Sequence, residues 1–336
     1  MTNDLEESWQ MLQPPLTPRE SFIMALEGKQ PPGLVPTFEM VFLLTMEAFG
    51  RIHPTHRVFS DWGQMSASEK RAQRRDLAET YVQIARTYGH GAIYCLPPKG
   101  WKDRDAELML MMEAIRELSG MEFCLLMPGD ATYSIPDGEH MMQFVVDLAE
   151  RPQEMKDNAR RQVEQTLAMA ENFRRHGVLD GFALCCDYCY NDRPFLSPAM
   201  FDEFIQPYLC ELVAGEREMG FYVIKHTDGN IMPILDRLVA ARPHALHSLD
   251  PQGGVDMAEV KRLVGDKVCL IGNVNCGLLD TGTDEQVVEA ARYALRHGMG
   301  GGGYIFSTSN SVYTGMPLRR YELMLQVRQS EGWYGA

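Results

Sequence analysis

Short apolar or β-branched runs alternate along the chain with longer stretches in which apolar residues recur every three or four positions. The runs are VPTFE (35–39), AIYCL (92–96), EFCLLM (122–127), GFALCCD (181–187), FYVIKHT (221–227), ALHSLD (245–250), KVCLIGNV (267–274) and GYIFSTS (303–309). Between them lie stretches such as SEKRAQRRDLAETYVQIARTYG, PAMFDEFIQPYLCELVAGEREMG and TDEQVVEAARYALRHG, whose apolar residues fall on one helical face and which end in glycine. Eight strands with intervening helices, in 336 residues, predict an α/β fold of the (β/α)8 TIM-barrel type over an open doubly wound sheet.

A helix is predicted ahead of the first run, at TPRESFIMALEGK. Thr17 can cap it, Pro18 suits its first turn, Glu20 completes a capping box and Gly28 stops it. Residues 1–16 are polar, acidic and proline-containing, which predicts a mobile N-terminal arm. No linker, heptad tract or internal repeat divides residues 17–336, so a single barrel is expected there.

Composition narrows the partners. A formal charge of −14 and a pI near 5.1 argue against nucleic acid or an anionic membrane, and leave a small ligand or another protein. Eight cysteines without a signal-like leader suggest reduced thiols and a cytoplasmic location. No apolar run approaches the length of a membrane span.

The chemistry of such barrels gathers where strands end. Those ends supply Glu39, Tyr94 and Cys95, Asp130, Asp187, His226 with Asp228, Asp250, Asn273 with Cys276, and Ser307 with Asn310. A neutral imidazole, a carboxylate and a thiolate are all competent for zinc, so His226, Asp228 and Cys276 form a candidate ligand set. The competing reading is that His226 and Asp228 bond to neighbouring loops and Cys276 is a small core residue. Gly298, Gly300 and Gly303 fit G-x-G-x-x-G but precede a strand, which argues against a dinucleotide loop. Cys185 and Cys186 are adjacent in a strand and point to opposite faces, so they and Cys189 do not readily share one ion.

From PRESFIMALEG to the C-terminus the chain resembles the uroporphyrinogen decarboxylase superfamily, which includes decarboxylases and corrinoid-dependent methyltransferases. The resemblance rests on RESFIMALEGKQPPGLVPTFE, PFLSPAMFDEFIQPY, KHTDGNIMPILDRLV, GVDMAEVKRLVGDKVCLIGNVNCGLL and GGGYIFSTSNSVYTGMP. It implies a (β/α)8 barrel, in agreement with the strand count. The decarboxylases carry an R-Q-A-G-R-Y type segment for substrate carboxylates; here the strand reads VPTFEMVF, without arginine. Methyltransferases acting on thiols carry H-x-C and a distant cysteine; here HTDG puts Asp228 at the first cysteine, and YIFSTSNS offers no second.

The branch that fits is the corrinoid methyltransferases that demethylate methoxylated aromatics or methylamines. There, cobalt(I) takes the methyl group by displacement, and an ether oxygen leaves only if protonated or bound to a Lewis acid. The resemblance then implies that Glu39, Asp187 and His226 are catalytic, that His226, Asp228 and Cys276 hold any zinc, and that Tyr94, Asn230, Asn273 and Asn310 bind substrate. Phe38, Tyr94 and Trp101 would flank an aromatic ring. No D-x-H-x-x-G segment is present, so the corrinoid (cobalamin) is expected on a separate carrier protein. A homodimer is compatible with the resemblance. Alternatives are a decarboxylase acting on a smaller acid and a non-catalytic ligand-binding barrel.

Overall fold

Seven parallel strands form one curled sheet in the order β2 (Ala92–Tyr94), β3 (Cys124–Pro128), β4 (Gly181–Leu184), β5 (Tyr222–Thr227), β6 (Ala245–Ser248), β7 (Cys269–Val274) and β8 (Tyr304–Thr308). The structure, a computed structural model, describes residues 16–335. The expected N-terminal arm therefore lies outside the described residues but for Leu16. A two-stranded antiparallel pair joins Gly33–Leu34 (β1) to Trp333–Tyr334 (β9) near the chain ends.

The first predicted strand, residues 35–39, appears in reduced form. Thr37 makes parallel bridges to His90 on one side and Phe306 on the other. The Gly91 amide donates to the Thr37 carbonyl at 2.8 Å, and the Phe306 amide to the Pro36 carbonyl at 2.9 Å. This segment therefore lies between β2 and β8 and closes the ring. Pro36 has no N–H to give, which keeps the ladder short.

Strand parity divides the core in two. Ala92, Cys124, Leu126, Ala183, Ile224, Ala245, Cys269, Ile271 and Ile305 fill the lumen together with Phe22, Ala25 and Leu26 of the helix Pro18–Leu26. That helix is the floor of the barrel. The alternate residues Ile93, Leu125, Leu184, Val223, Leu246, Leu270 and Phe306 face the outer helices, as the period of two requires. Two residues beyond the lumen layer, the same parity carries Cys185, His226, His247, Asn273 and Ser307 inward at the C-terminal ends of their strands.

The floor helix and the outer helices start where side chains cap them. Thr17 with Glu20, Ser66 with Glu69, and Thr283 with Gln286 form capping boxes. No helix among the described residues is long and apolar enough to cross a membrane.

Candidate metal and catalytic site at the barrel mouth

β5 carries His226 one residue before its end, and the turn after it carries Asp228; the segment after β4 carries Asp187. Ligand atoms of these three side chains all lie within 4.8 Å of one another. His226 Nε2 stands 3.7 Å from Asp228 Oδ1 and 3.9 Å from Asp187 Oδ1, too far for hydrogen bonds. Donors around a four-coordinate ion with bonds of about 2.1 Å sit roughly 3.4 Å apart, so small side-chain movements bring the three onto one cation. An imidazole with two carboxylates is a harder set than thiolates and suits a divalent ion that binds oxygen.

The supporting shell fixes both carboxylates. Asp228 Oδ1 lies 2.7 Å from the Ser248 hydroxyl, which shares its one proton between Asp228 and the Ser309 carbonyl, and Oδ2 accepts the Asn310 amide. Asp187 Oδ1 accepts the backbone N–H of Asp228 at 3.0 Å, tying the two acids together. Burial drives the His226 pKa down against the opposing pull of Asp228 and Asp187, which keeps the ring neutral and able to ligate. On its other side, His226 Nδ1 meets His247 Nδ1 at 2.8 Å.

Beneath Asp187, the Lys225 ammonium donates to Asp130 Oδ2 at 2.7 Å and to the carbonyls of Leu184 and Cys186. It also lies 4.1 Å from the centre of the Tyr188 ring. Burial, the largest influence, works against the Asp130 carboxylate, but Lys225 together with the hydrogen bonds from Thr132 and Cys186 outweighs it and its pKa falls. The segment from Leu184 to Tyr188, which presents Asp187, is thereby pinned to β5.

Glu39 is enclosed, 4% exposed, and burial raises its pKa to about 8 against the bonds from Thr308 and Ser307. The Thr308 hydroxyl has one proton, yet it lies 2.5 Å from both Glu39 Oε2 and the Asn310 carbonyl oxygen. A carbonyl can only accept, so both contacts are hydrogen bonds only when Glu39 is protonated and donates to Thr308. Asn310 in turn holds Asp228, so the neutral acid is linked to the metal-competent cluster.

Not every expected residue converges. Cys276 does not belong to the cluster: it opens the helix Cys276–Thr281, its amide bonds Ser309, and its thiol faces Gln252 at 3.8 Å. Burial raises that thiol's pKa, which opposes thiolate formation. Asp187, expected as a catalytic residue, is instead the third member of the group that could hold an ion. Asn230 is occupied by its own loop and the one after β4, accepting the Met232 amide and donating to the Asp192 carbonyl. Phe38 packs on Phe22 in the barrel floor, and Trp101 packs on Trp62; neither borders the mouth cluster. Tyr94 lines the lumen with its hydroxyl 3.4 Å from Cys185, and Asn273 is buried in the inward layer. Strand-end reading missed His247 and Ser248, although Ala245 pointing inward makes His247 the next inward residue of ALHSLD.

Comparison with known proteins places this geometry in context. A comparison with curated proteins returns no match. Among solved structures, a methyltransferase from Methanosarcina mazei superposes with a TM-score of 0.71 at 17% identity, over 94% of this chain and 99% of that chain. A β-mannanase from the blue mussel Mytilus edulis gives a TM-score of 0.47 at 10% identity, over 90% of this chain and 95% of that chain. The first of these likenesses carries the barrel fold. The sequence profile described as uroporphyrinogen decarboxylase (URO-D) matches residues 130–330, which include Asp130, Asp187, His226, Asp228 and Asn310 but not Glu39, and the chain belongs to the uroporphyrinogen decarboxylase family.

Proposed function

We propose that the protein is a methyltransferase, moving a methyl group between a small substrate and a corrinoid on a partner protein, with a divalent metal such as zinc at the barrel mouth. The observation that carries this reading is the convergence of Asp187, His226 and Asp228 within 4.8 Å. The barrel likeness to a methyltransferase supports it. A methoxylated aromatic is the favoured donor, because a harder His/Asp set suits an ether oxygen better than a thiol.

When bound, the metal would supply Lewis acidity toward that oxygen, and the corrinoid cobalt would supply the methyl acceptor. The chain's own residues do the rest. Asp187, His226 and Asp228 bind, Ser248 and Asn310 hold Asp228 in orientation, and Glu39 keeps a proton two hydrogen bonds from Asn310. The carrier protein would land on the segments that follow the strands, where Met46, Ile52, Val58, Tyr190 and Tyr313 are exposed.

The test is methyl transfer from methoxybenzoates, methylamines and thiols to cobalt(I) cobalamin, followed by absorbance, with zinc-loaded protein. Transfer by wild type that is lost in His226→Ala and Asp187→Ala supports the reading. Transfer with none of these donors, or undiminished transfer in both variants, overturns it. The neutral Glu39 favours one competing reading, a carboxy-lyase that protonates a carbanion left by a small acid. That reading predicts release of carbon dioxide with neither metal nor corrinoid.

A further inference from the structure

His226 and His247 face each other across β5 and β6 at matched register. Their Nδ1 atoms are 2.8 Å apart and both rings are buried. Two neutral imidazoles at that distance share one proton between the Nδ1 atoms, so the tautomer of one ring dictates that of the other. If His247 donates, His226 carries its proton on Nε2, the atom that faces Asp187 and Asp228, and is closed to a cation. If His247 accepts, His226 carries its proton on Nδ1 and presents a bare Nε2 to the two carboxylates.

The far side of His247 shows what the second arrangement requires. Its Nε2 is fully buried and has no hydrogen-bond partner among the described residues. Among the described residues nothing competes there for the His247 proton or fixes it, so the ring can hold that proton on either nitrogen. A ring placed at hydrogen-bond distance from a candidate ligand, with its other nitrogen left uncommitted, matches the outer partners that orient metal-binding histidines. In place of the usual carboxylate or carbonyl, this site uses a second imidazole.

We infer that His247 is the positioning residue of this site: it accepts the Nδ1 proton of His226 and thereby leaves His226 Nε2 free for a divalent metal. The inference rests on the metal reading above and goes beyond it by assigning a role to a residue outside the ligand set. His247 touches neither metal nor substrate in this role.

The experiment is zinc and cobalt(II) affinity by competition with a chelator, on wild type, His247→Phe and His247→Asn, alongside nitrogen-15 NMR of the histidine tautomers. Phenylalanine fills the ring's space without an acceptor, whereas asparagine places an oxygen near the Nδ1 position. Affinity should fall roughly 10- to 100-fold in His247→Phe, the range for loss of an outer partner, and recover largely in His247→Asn. In zinc-loaded wild type, His226 should be protonated on Nδ1. Equal affinity in wild type and His247→Phe overturns the inference, as does an equal loss in both folded variants, which would mark a packing role. A His226 protonated on Nε2 in the loaded protein overturns it without any variant. Absence of metal binding by wild type removes the metal reading as well, which separates the two failures.

Discussion

Lys225 and Asp130 meet at 2.7 Å in the wall of the barrel, their side chains 0% and 7% exposed. Removing one partner of such a pair strands a buried charge, at a cost of about 3–5 kcal/mol. Asp130 also accepts from the Thr132 amide, the Thr132 hydroxyl and the Cys186 amide, which places Lys225→Met near the low end of that range. Urea unfolding should show this loss, and adding Asp130→Asn should restore part of it. A single variant as stable as wild type would mean that the pair does not hold the 184–188 segment.

The barrel was legible because its strands are buried on both faces and read as apolar runs. Only the run at 35–39 misled in form, since Pro36 limits its ladder to bridges at Thr37. His226 and Asp228 were legible as polar residues closing an apolar run. Asp187 was legible only as an acid at a strand end, because its approach to His226 depends on how the loop after β4 turns back over β5. Cys276 misled for the converse reason: its thiol is a good ligand by type, but the helix beginning there turns it toward Gln252. His247 was hidden by attention to the last residue of its run, when the inward parity set by Ala245 was the better guide.

The ligand assignment separates Cys276 from Asp187. Elemental analysis after zinc loading should find the metal retained in Cys276→Ser and lost in Asp187→Ala and Asp228→Ala, with all three folded by circular dichroism. Retention in Asp187→Ala together with loss in Cys276→Ser would reverse the assignment.

Gly272 sits at φ +138°, a backbone conformation that residues with side chains rarely adopt. A Cβ there would stand 2.5 Å from the Ser248 carbonyl oxygen. Ser248 must then shift, and its hydroxyl is one of the two groups holding Asp228. Gly272→Ala should therefore lower thermal stability by a few degrees and weaken metal affinity by about tenfold, the low end for a disturbed outer partner. Unchanged affinity despite lower stability would show that Ser248 does not orient the ligand.

Glu39 gives the protein a pH dependence whose sign follows from its environment. An exposed carboxyl titrates near its ordinary value of 4.5, while the folded state holds the Glu39 proton up to about pH 8. Between those limits the folded state binds more protons than the unfolded one, so stability falls as pH rises through the window. The contribution is full below the unfolded pKa and is lost by the time pH passes the folded one. A separation of this size amounts to something on the order of 5 kcal/mol across the whole window. Glutamine keeps the amide donor for Thr308 and cannot ionise, so Glu39→Gln should flatten the stability profile and exceed wild type in stability above pH 8. Chemical unfolding of both proteins from pH 5 to pH 9 measures the difference directly. Parallel profiles would show that Glu39 is ionised in the folded protein, and the hydroxyl of Thr308 would then have to abandon the Asn310 carbonyl to satisfy it.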